Sequence, residues 1–248
     1  MEIHWAIKGL RYAVALAFLT IVFPSAGQQR APTLAPTPTP APPQKSAEKS
    51  AEAWASEPMV DLARACPTIR IELRYASKRN VTGKPIYPVN ARCFVRQSVA
   101  QRLQYAQDEL NDKGYALKIW DAYRPEWAQK ILWQAIRNPD FLQPPDQTAS
   151  MHTRGIAVDA TLVTFEGGEL RMPTGFDDFT PAASMFYKGG DHDVARHLRI
   201  LQIAMGKAGF LGNHTEWWHF VARDWENCQP LDLDIQPHIE RNARLTRK

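Results

Sequence analysis

Two short segments of this 248-residue chain contain side chains able to hold a metal ion and to hydrolyse a bond beside it. The first contains His152 and Asp159, and the second contains Glu216 and His219. A catalytic zinc ion needs three protein ligands, a fourth position for water, and a nearby base that accepts a proton from that water. We predict that His152, Asp159 and His219 are the ligands. Glu216 would be the base, and the set indicates a zinc hydrolase.

The spacing of these residues restricts how the chain can present them. The chain contains no HExxH motif, the pattern that places two metal ligands on one face of a helix. We expect His152 in a loop and Asp159 in the strand that follows it, at residues 156–163. Residues three apart in a regular strand point to opposite faces. Glu216 and His219 can therefore reach one cavity only if Glu216 precedes the strand or a bulge intervenes, and we predict that it lies in the preceding loop.

The same residue types also have ordinary structural interpretations. A single histidine is commonly a hydrogen-bonded structural residue, and Asp159 could cap a turn. Residues 191–193, Asp-His-Asp, resemble a second metal cluster. They begin a predicted helix, however, where aspartate is favoured as an N-cap and beside the helix dipole. We therefore assign this cluster a structural role.

Hydrophobic periodicity predicts a mixture of helices and strands. The predicted helices run from Val95 to Leu110, over residues 126–137, and from Val194 to near Gly209. The predicted strands cover residues 115–120, 156–163 and 217–221. The apolar residues expected on the buried face of the second helix are Trp127, Ile131, Leu132 and Ala135. Because the elements do not alternate strictly as βαβ units, we predict an α+β fold with a largely antiparallel central sheet flanked by helices.

The N-terminal part of the chain differs in composition from the rest. Residues 1–27 combine basic residues, an apolar run and small residues, which is typical of a cleaved signal peptide. An uncleaved membrane anchor is the alternative, although the apolar run is shorter than the ~20 residues that cross a bilayer. Residues 28–57 are rich in proline and predict a disordered linker. Residues 58–248 would form a single catalytic domain, exported to the periplasm or another extracytoplasmic space, without stable membrane insertion after cleavage.

Charge and cysteine content exclude some classes of partner and site. The formal net charge is +4, and no cluster of basic and aromatic residues indicates a nucleic-acid partner. The three cysteines, Cys66, Cys93 and Cys228, lack CxxC spacing, so a cysteine zinc site is disfavoured. An exported chain could form one disulfide among them. The spacing does not choose the pair, and the oligomeric state also stays open.

Six separated segments together resemble the VanX-type D-alanyl-D-alanine dipeptidases. The central ones are Ser-x-His-x-x-Gly-x-Ala-x-Asp at residues 150–159 and Glu-Trp-Trp-His at residues 216–219. Further matching segments, in the same order as in the family, lie at residues 74–76, 80–85, 121–125 and 176–177. The resemblance begins near residue 73 and implies the fold of the zinc D,D-peptidases, which is shared with the hedgehog signalling domain.

The resemblance also implies a role for each matching residue. It makes His152, Asp159 and His219 the ligands of one catalytic zinc ion, with Glu216 as the catalytic base. Arg124 would stabilise the tetrahedral intermediate. The remaining implied residues contact the substrate: Asp177 and Ser150 would hold its free amino group, and Tyr75 and Asp121 would line the pocket.

The implied activity is zinc-dependent hydrolysis of D-alanyl-D-alanine and similar small D,D-dipeptides in the cell envelope. The enzymatic alternative is a zinc D,D-carboxypeptidase that trims peptidoglycan stem peptides with the same site. A non-enzymatic alternative is a zinc-bound recognition module. The presence of both Glu216 and Arg124 disfavours the latter, because a recognition module needs neither a base nor an oxyanion partner.

Overall fold

The computed structural model describes residues 49–236. The predicted signal peptide at residues 1–27, most of the predicted linker, and residues 237–248 lie outside this range. The helices are α1 (Ala51–Ala55), α2 (Leu62–Ala65), α3 (Gln97–Asn111), α4 (Glu126–Ile136) and α5 (His192–Lys207). The strands are β1 (Met59–Asp61), β2 (Arg70–Ile71), β3 (Phe94–Arg96), β4 (Tyr115–Asp121), β5 (Ala157–Thr164), β6 (Phe210–Gly212) and β7 (His219–Ala222). Short 3-10 helices occur at Arg74–Ala76, His152–Arg154 and Pro181–Ala183.

The central sheet has five strands in the order β2-β4-β5-β7-β6. β2 and β4 are parallel, whereas the other three neighbouring pairs are antiparallel. β1 and β3 form a separate antiparallel pair. Helices α3 and α5 pack against each other and against this sheet. The predicted α+β fold, with a largely antiparallel sheet flanked by helices, is confirmed. Within residues 49–236, no helix has both the length and the hydrophobicity that crossing a bilayer requires.

Local sequence explains where two of the long helices begin. Val95 lies in β3, paired with Val60 of β1, so α3 starts at Gln97, two residues later than predicted. Helix α5 begins after Asp191, whose carboxylate accepts hydrogen bonds from the backbone N–H groups of Asp193 and Val194. This N-cap agrees with the structural role predicted for residues 191–193.

Helix α4 buries a different face from the predicted one. Ala128, Gln129 and Leu132 are buried, whereas Trp127 and Ile131 are 44% and 42% exposed. The prediction followed the largest apolar side chains. The buried face instead includes a glutamine, because its amide is needed inside the molecule as a hydrogen-bond partner. Of the four predicted positions only Leu132 is buried, so the prediction of a buried Trp127, Ile131 and Ala135 is wrong.

The folded region also begins earlier than the boundary predicted at residue 58. Trp54 in α1 is 1% exposed, and its indole N–H donates to the carbonyl oxygen of Asp224. The Arg96 guanidinium donates in turn to the carbonyl oxygen of Trp54. A buried tryptophan contributes several kcal/mol of hydrophobic stabilisation. The last residues of the predicted linker thus belong to the folded unit.

The three cysteines are buried and unpaired. The Cys66 thiol donates to the carbonyl oxygen of Ala100 at 3.3 Å. Burial raises the pKa of Cys66 to about 11 and that of Cys93 well above its ordinary value. These thiols are therefore packing groups, and the disulfide permitted by composition does not form.

Candidate active site

Three neighbouring strands place ionisable side chains in one row. Asp159 in β5 lies opposite Asp121 in β4 and opposite His219 in β7. Residues directly opposite each other in antiparallel strands have their side chains on the same face of the sheet. A register shift in β4 between Ile119 and Asp121 marks the point where this row begins. The pairing of the strands therefore assembles the site from distant parts of the chain.

His152 reaches the same place from the 3-10 helix before β5. Gly155 ends this turn with a φ of 72°, and a Cβ atom there would lie 2.8 Å from Cε of Met59. The left-handed backbone angle favours glycine, whereas the end of the flexible Met59 side chain could move away from a Cβ atom. Nδ1 of His152 lies 2.7 Å from the Ala122 carbonyl oxygen. This hydrogen bond, donated by a protonated Nδ1, leaves Nε2 with a lone pair for a metal ion.

The side-chain atoms of His152, Asp159 and His219 converge with the spacing of metal ligands. Nε2 of His152 lies 3.1 Å from Nδ1 of His219. Oδ1 of Asp159 lies 3.0 Å from Nδ1 of His219 and 3.4 Å from Nε2 of His152. Tetrahedral zinc with bonds of ~2.0 Å separates its ligand atoms by about 3.3 Å. The structure therefore forms a site that could bind one metal ion.

The electrostatics of these three residues favour a cation between them. Burial alone would raise the pKa of Asp159, but the adjacent imidazoles of His152 and His219, when they are protonated in the absence of a metal ion, lower it below its ordinary value. Burial alone would lower the pKa of His219, whereas the hydrogen bond and charge of Asp159 raise it. Both directions show that positive charge is stabilised here, as a metal site requires.

Glu216 lies in the turn before β7, as we predicted from its three-residue spacing to His219. Its Oε2 accepts a hydrogen bond of 2.8 Å from the side-chain amide of Asn213. Burial raises the pKa of Glu216 to about 7, while the charge of His219 acts in the opposite direction. A carboxyl group that titrates near neutral pH can both accept and return a proton.

Arg124 is held in one orientation by its neighbours. Its Nε donates to Oδ2 of Asp121 at 2.9 Å, and its Nη1 donates to Oε1 of Gln129 at 2.8 Å. The guanidinium lies over the Tyr75 ring, 5.1 Å from the centroid. Nη2 lies 3.5 Å from Oδ2 of Asp159. A buried and fixed positive charge therefore stands beside the metal ligands.

Asp121 lies behind Arg124 and does not line the cavity. It has no exposed surface, and it accepts hydrogen bonds from Tyr87 Oη at 2.7 Å and from Arg124. Its Oδ2 also lies 3.5 Å from Nδ1 of His152. The prediction that Asp121 lines the pocket is therefore wrong. Its contacts make it a residue that positions Arg124 and His152.

Asp177 presents a second buried carboxylate to the cavity. Its φ of 59° is left-handed, a conformation that aspartate and asparagine tolerate better than most residues. Oδ1 accepts from Tyr75 Oη at 3.0 Å, and Oδ2 accepts from the Val81 N–H at 3.0 Å. Burial raises the pKa of Asp177 to about 7, although the Val81 hydrogen bond acts to lower it. The raised pKa means that burial disfavours the charged carboxylate, and a cationic group of a ligand would offset this unfavourable energy.

One cavity of 130 Å³ joins these groups. The predicted site residues that line it are Tyr75, Arg124, Ser150, His152, Asp159, Asp177, Glu216 and His219. Trp218 also lines it and is buried, whereas its neighbour Trp217 packs in the core. The hydroxyl of Ser150 accepts a hydrogen bond from the His152 N–H at 3.3 Å. The cavity is thus small and rich in charged groups.

Seven lining residues were not predicted from the sequence: Gln129, Phe141, Leu142, Gln143, Met151, Phe179 and Asn213. Gln129 links the Arg124 guanidinium to the carbonyl oxygen of Gln143, to which its amide donates at 3.0 Å. A polar residue on the buried face of an otherwise apolar helix is the signal that could have found it. Phe141, Phe179 and Asn213 lie in loops, where no periodic pattern marks them.

Comparison with known proteins identifies close relatives. A family model described as D-ala-D-ala dipeptidase, of the M15 peptidases, matches residues 55–235. The D-alanyl-D-alanine dipeptidase of Escherichia coli is 38% identical over 163 residues, covering 65% of this chain and 83% of that protein. The D-alanyl-D-alanine dipeptidase of Enterococcus faecium is 32% identical, covering 63% of this chain and 87% of that protein.

Among solved structures, the LdcB LD-carboxypeptidase superposes with a TM-score of 0.40 at 17% identity, covering 68% of this chain and 70% of that one. The residues matched by the family model include strands β4, β5 and β7, which hold the row of ionisable side chains. They also include the turns that contain His152 and Glu216. This chain therefore belongs to the D-Ala-D-Ala dipeptidase family of the M15 peptidases.

Proposed function

We propose that this protein is a zinc dipeptidase that hydrolyses D-alanyl-D-alanine and similar small D,D-dipeptides. The observation that carries the proposal is one small cavity that joins a three-ligand site to two further buried carboxylates. Glu216 lies beside the ligands, and Asp177 lies where an amino group could be neutralised. The activity of the relatives supports this choice.

The donor set fits a single zinc ion. Two imidazole nitrogens and one carboxylate oxygen, with spacings of 3.0–3.4 Å, agree with a catalytic site that leaves one position open. Bound zinc would supply Lewis acidity that lowers the pKa of a water molecule to ~7 and polarises the peptide carbonyl. The Ala122 carbonyl would keep the His152 ring in the orientation and tautomer that this requires.

Glu216 would move the proton in this reaction. Its carboxylate would accept a proton from the attacking water and then donate it to the departing amine. The hydrogen bond from Asn213 to Oε2 holds the carboxylate in place and leaves other lone pairs for this transfer. A base that is already fixed needs little reorganisation as the charge moves.

Arg124 would stabilise the charge that develops on the carbonyl oxygen. Its guanidinium is already oriented by Asp121 and Gln129, so it does not have to move during the reaction. Removing one donor of this kind typically lowers the rate ~100-fold or more. Its position beside Asp159 places it at the ligand side of the cavity.

Asp177 and Ser150 would hold the free amino group of the substrate. A buried carboxylate that pairs with an ammonium group favours a free dipeptide over an N-acylated peptide, because an unpaired buried charge is strongly destabilising. This contact would separate a dipeptidase from a carboxypeptidase that acts on stem peptides.

Export would place the activity in the cell envelope. We propose that residues 1–27 direct the protein there and that it salvages dipeptides released outside the cytoplasm, because an exported enzyme cannot act on the cytoplasmic dipeptide pool. N-terminal sequencing of protein from fractionated cells would test this. Protein found in the cytoplasm with residues 1–27 intact would contradict it.

A hydrolysis panel tests the proposed activity. We expect D-Ala-D-Ala to be cleaved, and a chelator to abolish cleavage until zinc is restored. N-acetyl-D-Ala-D-Ala and L-Ala-L-Ala, assayed under the same conditions, should be poor substrates. Preference for the acetylated peptide would instead identify a carboxypeptidase. It would also contradict the proposal that Asp177 binds the free amino group of the substrate.

A further inference from the structure

A second and larger cavity lies beside the active-site cavity. This groove has a volume of 960 Å³, compared with 130 Å³ for the active-site cavity. Phe141 and Phe179 line both of them. Their ring centroids lie 5.4 Å apart with an interplanar angle of 52°, a favourable tilted contact. We call this pair the Phe141–Phe179 wall, because it separates the two spaces.

The wall stands on two loops that are tied to the active site. The Phe179 N–H donates to the backbone carbonyl oxygen of Asp177 at 3.1 Å, so the two residues belong to one hydrogen-bonded turn. The loop that carries Phe141 is tied by a hydrogen bond of 3.3 Å from Thr215 Oγ1 to the carbonyl oxygen of Asp140. Thr215 lies in the segment before β7, next to Glu216, so the backbones of both loops are joined to segments that carry residues of the active-site cavity.

Other parts of the cavity lining are deeply buried and have little freedom to move. Trp218 and Tyr75 are almost fully buried, and Arg124 is held by two hydrogen bonds. The two phenylalanines, by contrast, are only partly buried and contact empty space on their far side. The limit on ligand size in the direction of the groove is therefore set by these two rings.

We propose that the Phe141–Phe179 wall determines specificity by restricting the cavity to dipeptides with small side chains. This inference rests on the proposed dipeptidase function and names its substrate class. On this proposal a methyl side chain is accommodated in front of the rings, and a benzyl side chain is excluded by them. Without the rings, such a side chain would extend into the groove, whose apolar lining includes Pro173, Pro181 and Tyr187.

The experiment compares three free dipeptides that differ only in side-chain size: D-Ala-D-Ala, D-Phe-D-Ala and D-Ala-D-Phe. The kcat/KM for each is measured with the zinc-loaded wild-type protein and with the F141A/F179A double variant. The matched control is F186A, because Phe186 lines the groove but not the active-site cavity. All three substrates keep both termini free, so the contacts proposed for Asp177 stay the same.

We expect the double variant to raise kcat/KM for at least one of the large dipeptides, relative to D-Ala-D-Ala, by tenfold or more. A difference of this size is typical when a pocket gains room for apolar groups. F186A should leave both ratios unchanged. A folded double variant with unchanged ratios for both large dipeptides would overturn the proposal. Thermal unfolding checks folding, and the single variants F141A and F179A replace the double variant if it does not fold.

Binding provides a second measurement that does not depend on turnover. Calorimetry with zinc-loaded Glu216→Gln protein, with and without the two wall substitutions, gives the Kd of each dipeptide. If the two substitutions alter the Kd ratios but the wild-type protein shows no hydrolysis, the proposed function is refuted and the proposed role of the Phe141–Phe179 wall is supported. Hydrolysis by the wild-type protein, with both kcat/KM and Kd ratios unchanged by the substitutions, would retain the function and refute the wall. Absence of both hydrolysis and dipeptide binding would refute both.

Discussion

Replacing Asp177 with asparagine removes a buried negative charge while it preserves the local structure. Asparagine tolerates the left-handed φ of 59° at this position as well as aspartate does. Its amide oxygen can accept from the Val81 N–H, and its NH₂ can donate to the Tyr75 hydroxyl, which can act as either donor or acceptor. The substitution therefore tests the charge alone.

The size of the effect follows from the burial of the carboxylate. Breaking one partner of a buried ion pair is destabilising by roughly 3–5 kcal/mol, and each 1.36 kcal/mol corresponds to a factor of ten in rate. We therefore expect Asp177→Asn to lower kcat/KM for D-Ala-D-Ala by roughly 10²- to 10⁴-fold. N-acetyl-D-Ala-D-Ala has no ammonium group to lose, so its kcat/KM should be maintained or increased.

The assay is the ratio of kcat/KM values for the free and acetylated dipeptides, with Tyr75→Phe as a matched control. Tyr75→Phe removes one hydrogen bond to the Asp177 carboxylate but retains its charge, so we expect a change of about tenfold or less. If Asp177→Asn keeps its preference for the free dipeptide within tenfold of wild type, Asp177 does not bind the amino group.

The stability of the metal-free protein provides an independent measurement of the same charge. Because burial raises the pKa of Asp177 from 3.8 to about 7, the folded protein holds this proton between about pH 4 and pH 7 while the unfolded chain has lost it. Stability must therefore fall as the pH rises through this range. The penalty at pH 8 is at most about 4 kcal/mol. Urea denaturation should show Asp177→Asn gaining stability over wild type as the pH rises from 4 to 8, and parallel curves would refute the buried charge.

Three further predictions concern other parts of the molecule. Glu216→Gln should lower kcat by 100-fold or more with unchanged zinc content, as measured by steady-state kinetics and metal analysis; near-normal turnover would exclude Glu216 as the base. Trp54→Ala should reduce the free energy of unfolding by about 3–5 kcal/mol in urea, because the indole is fully buried; a change below 1 kcal/mol would show that α1 contributes little. A reducing agent should leave the urea midpoint unchanged, because no disulfide joins the three buried thiols, Cys66, Cys93 and Cys228.

The candidate metal site of His152, Asp159 and His219, with Glu216 beside it, was predictable because the chemistry of these residues is encoded by residue type and short spacing. His152 and Asp159 are separated by one turn and part of one strand, so local geometry brings them together. The alternation rule for strands placed Glu216 in the turn before β7, and the structure agrees. The α+β class followed in the same way from the lengths and order of the apolar runs.

The surroundings of the site were not predictable, because they depend on contacts between segments far apart in the chain. Apolar periodicity identifies α4 but ranks its faces by hydrophobicity, so it selected Trp127 instead of Gln129, whose partner is Arg124. Asp121 had the right residue type for the pocket. The pairing of β4 with β5 and the hydroxyl of Tyr87 placed it behind the guanidinium.

The N-terminal boundary and the walls of the cavity also depend on long-range contacts that the local sequence does not reveal. Composition marks residues 28–57 as a linker, yet Trp54 is buried because residues near Asp224 form a place for it. Phe141 and Phe179 lie in loops without a repeating pattern, and only the folded chain brings their rings into contact. The sequence alone determined which atoms can bind a metal and move a proton. The size and shape of the space around those atoms depend on long-range packing, which residue type and local spacing do not specify.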